Sequence, residues 1–258
     1  MKWVRGQVLS GRIFGGAWLS LGSPVTAEIT GRAGFDWVLL DMEHGCGNYS
    51  DLLHQMQALS ASTCGPIVRV PAMEASVFKH VLDMGPSGLM IPNVSTAEMA
   101  RHAVSISRIP PLGVRGSAQT TRASGYGFGY DEYVRDANDG LLIVAQIESR
   151  EGVTNAEEIA AVDGIDVLFV GPLDLSIDLG DGPGGIHFNT AVKHVADAAA
   201  KHGKIAGVLV RNQEQALDYV KQGYSFIALG SDRGQVINGM KHNAAFFAQL
   251  RNDAHAVS

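Results

Sequence analysis

Eight short runs rich in Val, Ile and Leu recur along this chain, and they restrict its fold more than any other feature. They are IFGGAWL from Ile13, DWVLLD from Asp36, PIVRV from Pro66, GLMIP from Gly88, LLIVAQIE from Leu141, IDVLFVG from Ile165, KIAGVLV from Lys204 and SFIALG from Ser225. Most lack alternating polarity, as expected of strands covered on both faces. Segments of helical spacing lie between them: Ser23 to Ala33, Ser50 to Ser60, Ala75 to Asp83, Thr96 to Ser107, Thr154 to Ala161, Asn189 to His202, Gln213 to Gln222 and Asp232 to Leu250. Ser23-Pro24 reads as an N-cap followed by a first-turn proline, and Ser95 or Thr96 precedes Glu98. Gly34, Gly85, Gly164, Gly203 and Gly223 follow helical runs as stop signals. This alternation predicts an α/β fold, a (β/α)8 TIM barrel, with residues 1–258 as one domain. The rival is an open doubly wound sheet, but no G-x-G-x-x-G follows the first run and no Walker loop is present. One connection is long, Pro110 to Gly140, with GVRGSAQTTRASGYGFGY and then the helical stretch YDEYVRDAND. Such loops are often lids or interface elements, the alternative being a solvated insertion.

Charge and composition narrow the partners. Lys plus Arg number 20 against 26 Asp plus Glu, a formal charge of -6 with no basic stripe, which argues against nucleic acid. No apolar run reaches the roughly 18 residues of a membrane helix. The N-terminal stretch MKWVRGQVLSGRIFGG lacks the apolar core of a signal peptide. Two cysteines make no disulfide framework, so a soluble cytoplasmic protein is expected. Charged residues are 18% and hydrophobic residues 46%, a balance that suggests surface buried between subunits.

Polar residues gather where a barrel keeps its chemistry, at the C-terminal ends of the strands. The second run ends in Asp41-Met42-Glu43-His44, the third carries Arg69, the fifth ends in Gln146-Ile147-Glu148, and the sixth leads into Gly171-Pro172-Leu173-Asp174. Glu148 and Asp174 end consecutive strands. Carboxylates that close repel unless a proton or cation lies between them, and oxygen ligands suit Mg²⁺, Mn²⁺ or Co²⁺. The alternative for Asp174 is a helix cap. Arg69 either meets an oxyanion or bridges to Asp41 or Glu43. His44 reads as a general base or a metal ligand. None of the seven lysines sits at a strand's C-terminal end, which disfavours a Schiff base.

FDWVLLDMEHG, PIVRVP, GLMIPNV, GVRGSA followed by RAS, QIES and GPLDLS together resemble the HpcH/HpaI aldolases, the metal-dependent class II pyruvate aldolases. The resemblance runs from Gly15 to about Gly230. It implies an aldehyde-lyase that reversibly cleaves a 4-hydroxy-2-oxo acid to pyruvate, or an analogue such as hydroxypyruvate, and an aldehyde through a metal-stabilised enolate. It implies that Glu148 and Asp174 bind a divalent metal (Mg²⁺, Mn²⁺ or Co²⁺), that Arg69 steadies the enolate oxygen, and that His44 works with water as base. Gln146, Leu173 and Asp174 would contact substrate, and Asp83 would partner His44. Trp18 and the 110–140 loop are expected to line the aldehyde side. The family forms trimers and hexamers with an exchanged C-terminal helix, and the apolar segment after Asp232 suits that. Two departures touch the aldehyde preference: Leu173 stands where a small residue is usual, and Asn93 where an apolar or basic one is. Alternatives are a barrel lyase acting on a coenzyme A thioester and a non-catalytic binding barrel.

Overall fold

In the computed structural model, which describes residues 2–182 and 184–256, every one of these runs is a strand. They are β1 (Phe14–Leu19), β2 (Trp37–Asp41), β3 (Gly65–Arg69), β4 (Gly88–Ile91), β5 (Leu142–Ile147), β6 (Val167–Val170), β7 (Ile205–Val210) and β8 (Tyr224–Ser231). They pair in parallel and in chain order, and β8 closes on β1. The helices are α1 (Arg5–Leu9), α2 (Pro24–Arg32), α3 (Tyr49–Ala58), α4 (Ala75–Asp83), α5 (Ala97–Ser107), α6 (Tyr130–Gly140), α7 (Arg150–Thr154), α8 (Ala156–Ala160), α9 (Pro172–Leu179), α10 (Ile186–Lys201), α11 (Gln213–Lys221) and α12 (Asp232–Ala256). The expected caps form: Ser23 Oγ accepts the Thr26 N–H at 3.4 Å and Thr96 Oγ1 the Met99 N–H at 3.2 Å. Gly34, Gly85, Gly164, Gly203 and Gly223 all have positive φ, the left-handed geometry that ends a helix. No helix among the described residues is long and apolar enough to cross a membrane.

Side chains of a strand alternate between its two faces. Phe14, Trp18, Trp37, Leu39, Ile67, Met90, Val144, Phe169, Phe226 and Ala228 form one buried cluster, the barrel interior. Their neighbours Val38, Leu40, Val68, Leu89, Ile143, Leu168 and Val208 belong to a second cluster that packs the helices onto the sheet. Aromatic rings plug the interior: Trp37 stacks on Phe226 with centroids 4.0 Å apart, and Phe14 and Phe169 each lie 6.2 Å from Phe226. Gly16 and Gly207 make room, since a side chain at either would run into Trp37 or Phe169.

Three sequence expectations change. The 110–140 connection joins α5 to β5, so it lies at the N-terminal ends of the strands, away from the mouth. There Arg122 donates to the Met84 and Met56 carbonyls at the ends of α4 and α3. Within one chain this segment cannot line the aldehyde side, because α5 has already carried the chain down the barrel. The helix expected over Thr154–Ala161 starts earlier and is split at Asn155 into α7 and α8. The sixth strand leads into a helix of its own, α9, with Pro172 in its first turn. The C-terminal helix extends to Ala256 and leaves Met240, Phe246, Phe247 and Leu250 exposed. Val25 and Ile29 of α2 and Leu217 of α11 are exposed as well.

The plug predicts a specific sensitivity. Trp37→Ala removes its central ring and is expected to cost about 3–5 kcal/mol, read as a lower denaturant midpoint.

Candidate active site

The register of β2 and β3 sets Asp41 opposite Arg69. Both continue the inward alternation of their strands, above the aromatic plug. Arg69 Nε and Nη2 donate to the two Asp41 carboxylate oxygens at 2.9 and 2.6 Å. Its Nη1 lies 2.8 Å from Glu43 Oε2. That contact is an ion pair without hydrogen-bond alignment, for Glu43 Oε2 has no hydrogen-bond partner. Trp18 Nε1 donates to Asp41 Oδ2 at 3.1 Å, and its ring lies 4.8 Å from the guanidinium carbon. Asp41 Oδ1 also accepts the backbone N–H groups of Glu43 and His44 at 3.1 and 3.2 Å. Burial alone would raise the Asp41 carboxyl. The Arg69 hydrogen bonds and charge, with Trp18 and the His44 N–H, outweigh it and hold the group below its ordinary value.

Across the mouth, Gln146 is an inward residue of β5 and Glu148 follows with the same parity. Glu148 Oε1 accepts the Asn93 N–H at 2.8 Å. Asn93 reaches it from a left-handed backbone, φ 47°, which turns that N–H toward the carboxylate. Its side-chain oxygen accepts Ser95 Oγ at 3.1 Å. Gln146 Nε2 donates to Glu148 Oε2, while Gln146 Oε1 is buried with no partner. A side chain at Gly171 would overlap both groups. Burial pushes the Glu148 carboxyl up to about 7, with the charges of Asp174 and Glu43 adding to it and the Asn93 N–H and Arg69 opposing.

Asp174 stands exposed in the first turn of α9 beside exposed Leu173. The first backbone bond of that helix runs from the Leu175 N–H to the Gly171 carbonyl at 3.1 Å. The N–H groups of Leu173 and Asp174 therefore have no intrahelical acceptor. A hard cation fits this donor set. Glu148 and Asp174 repel across the mouth, a buried amide oxygen lacks a donor, and a cation relieves both. Among the described residues no group of three His, Cys, Asp or Glu side chains is placed to hold a metal. Glu148 and Asp174 are the side chains that would hold such a cation, with water and substrate oxygens completing its shell.

Arg69, Gln146, Glu148, Asp174 and Leu173 gather at the mouth as expected. His44 lies at its rim, exposed, in the turn after β2. Trp18 is only 6% exposed, bonds to Asp41 and lies against the Arg69 guanidinium, so it supports the ion pair. Asp83 ends α4 at the opposite end of the barrel. Burial raises its carboxyl, and the charges that oppose this are Arg115, Lys79 and His80. One chain does not bring Asp83 to His44. Asp41, one of the two partners the sequence offers for Arg69, is the hub of the mouth, and Asn93 as a donor to Glu148 was not foreseen. The strand parity shared by Asp41 and Arg69 was the available signal.

Residues 15–239 match the HpcH/HpaI aldolase/citrate lyase family. The chain belongs to this family. The 5-keto-4-deoxy-D-glucarate aldolase of Shigella boydii is 40% identical over 221 residues, 85% of this chain and 86% of that protein. A HpcH/HpaI aldolase/citrate lyase family protein from Burkholderia cenocepacia superposes with a TM-score of 0.91 at 33% identity, over 96% of this chain and 100% of that one. The citrate synthase SbnG superposes with a TM-score of 0.86 at 29% identity, over 98% of this chain and 100% of that one. The chain is an aldolase, a carbon–carbon lyase.

The ion pair predicts a pH signature. Asp41→Asn leaves Arg69 without its bidentate partner and is expected to cost about 3–5 kcal/mol at neutral pH. A carboxylate with a depressed folded value stabilises above its ordinary 3.8 and loses that contribution as pH falls through the folded value. The stability gap between wild type and variant, measured by denaturant, should hold from pH 7 to about 4 and close below it.

Proposed function

We propose that this aldolase acts on 4-hydroxy-2-oxo acids of the 5-keto-4-deoxy-glucarate type, with a divalent cation (Mg²⁺, Mn²⁺ or Co²⁺) held by Glu148 and Asp174. What supports the reading is the placing of two carboxylates at one mouth, Glu148 buried and raised, beside the unpartnered Gln146 oxygen. The name of the 40%-identical relative supports the substrate class. When bound, the cation polarises the 2-oxo group and acidifies the carbon next to it.

The chain's own residues do the rest. The N–H groups of Leu173 and Asp174 at the start of α9 receive the substrate carboxylate, aided by the helix dipole. Arg69 spends one N–H of Nη2 on Asp41 and sets Nη1 against Glu43. Each of those nitrogens keeps a second N–H for the oxygen that gains negative charge. Gln146 contacts the 2-oxo acid. His44 moves a proton through water: in cleavage it takes the 4-hydroxyl proton and the C3–C4 pair of electrons stays on C3. In the reverse direction it takes a proton from the pyruvate methyl group.

Asp83 can partner His44 only across a subunit contact, since the fold separates them within a chain. The exposed apolar residues of α12, α2 and α11 support an assembly in which C-terminal helices are exchanged, a trimer or hexamer. Light scattering is expected to give that mass for the full chain and a smaller one for a chain ending at Gly239.

Chelator should abolish activity and divalent ion restore it, and borohydride with pyruvate should leave no adduct; a stable lysine adduct would contradict the reading. Glu148→Gln and Asp174→Asn should weaken Mn²⁺ binding in calorimetry. His44→Ala should keep the metal and slow turnover about 10²–10⁴-fold. Because the Glu148 proton must leave before a cation binds, Mn²⁺ affinity should rise as pH passes through about 7 and level off above it.

A further inference from the structure

We infer that Arg233, set by Asp232, is the positioning residue for His44: the first turn of α12 clamps the turn that carries the base. This rests on the reading of His44 as base. Asp232 comes first in the chain of contacts. Its Oδ1 accepts the Ser20 N–H at 2.9 Å and the Arg233 N–H at 2.7 Å. Its Oδ2 accepts the Thr26 hydroxyl at 2.9 Å and the Leu21 N–H at 3.3 Å. The β1–α2 loop is thereby tied to the start of α12.

Arg233 extends the tie to the next loop. Its Nη2 donates to the Ser20 carbonyl at 2.9 Å, the His44 carbonyl at 3.3 Å and Cys46 Sγ at 3.2 Å. The same Ser20 carbonyl accepts the Cys46 N–H at 2.9 Å. Gly45 lets the turn close this tightly, because a side chain there would strike the Asp41 carbonyl. The His44 imidazole makes no hydrogen bond with the described residues, so its orientation comes from its backbone. That backbone is held from both sides: the N–H by Asp41 at 3.2 Å and the carbonyl by Arg233. The direction of the His44 Cα–Cβ bond thus depends on one partner from the barrel and one from α12. A base that drifts by about 1 Å loses up to about 100-fold in rate.

The test uses the full-length, Mn²⁺-loaded enzyme with Arg233→Met, Arg233→Lys and Asp232→Asn. Two readouts are taken: amide hydrogen exchange of residues 42–47, and solvent exchange of the pyruvate methyl protons. Arg233→Met is expected to speed amide exchange at 42–47. It should lower kcat for methyl exchange about 10- to 100-fold, with KM, Mn²⁺ affinity and melting temperature unchanged. Arg233→Lys should recover part of kcat, because all three contacts come from one nitrogen that an ammonium can replace. Asp232→Asn keeps the shape and should fall between wild type and Arg233→Met. Unaltered amide exchange at 42–47, or unaltered kcat, overturns the inference. So does a kcat loss that tracks loss of Mn²⁺ binding and of melting temperature. A wild type that exchanges no methyl protons contradicts the reading of His44 as base instead, and the amide arm still decides the clamp.

Discussion

The mouth of the barrel depends on one buried ion pair, Arg69 with Asp41, on adjacent strands. Moving two charges out of water is expensive, and such a pair holds only when its remaining hydrogen-bonding capacity is met. Here Asp41 takes two bonds from Arg69, one from Trp18 and two from backbone N–H groups of the next turn. Those last two fold the chain over the carboxylate and place Glu43 and His44. Trp18 in turn lies 6.0 Å from Phe169, so the polar floor stands on the aromatic plug. A salt bridge and an oxyanion site were competing readings of Arg69. The geometry shows the salt bridge, and it leaves an N–H on each terminal nitrogen free to donate, so the two readings are compatible.

Charge decides what the mouth can accept. Asp41 and Arg69 offset each other, leaving Glu43, Glu148 and Asp174 to repel. Glu148 is buried as well, and burial first, with these neighbouring charges adding to it, pushes its carboxyl up to about 7. A substrate that is itself an anion adds to the repulsion, and a divalent ion answers both. The superposition with a citrate synthase at 29% identity is a reminder that one frame serves more than one carbon–carbon bond chemistry. On the wall of the mouth, Leu173 stands exposed beside Asp174 at the start of α9.

Much of this was legible in the residues. The continuous apolar runs marked all the strands, and the barrel followed from their alternation with helices. Arg69, Gln146 and Glu148 were recognisable as charged or polar groups at the ends of apolar runs. The 110–140 segment was misplaced because its length was weighed before topology. A connection that follows a helix of a (β/α)8 barrel lies at the bottom, whatever its length, and Asp83 at the end of α4 falls under the same rule. Helix α9 was missed because its first residues, GPLD, also read as a strand end with a cap. The Glu148 shift was invisible because burial is a property of the folded chain. Asn93 looked like a departure in sequence, whereas its left-handed backbone is what delivers an N–H to Glu148.

The central claim is that Arg69, fixed by Asp41, steadies the oxygen charge formed from the 2-oxo acid. It is tested most directly by exchange of pyruvate methyl protons with solvent, followed by NMR in Arg69→Lys loaded with Mg²⁺. This reaction needs enolisation and no aldehyde. Lysine keeps the charge and loses the planar fork. The account predicts exchange slower by about 10²–10³-fold, with metal affinity and melting temperature preserved. Exchange at the wild-type rate, with only aldol addition impaired, would contradict it and place Arg69 at the aldehyde.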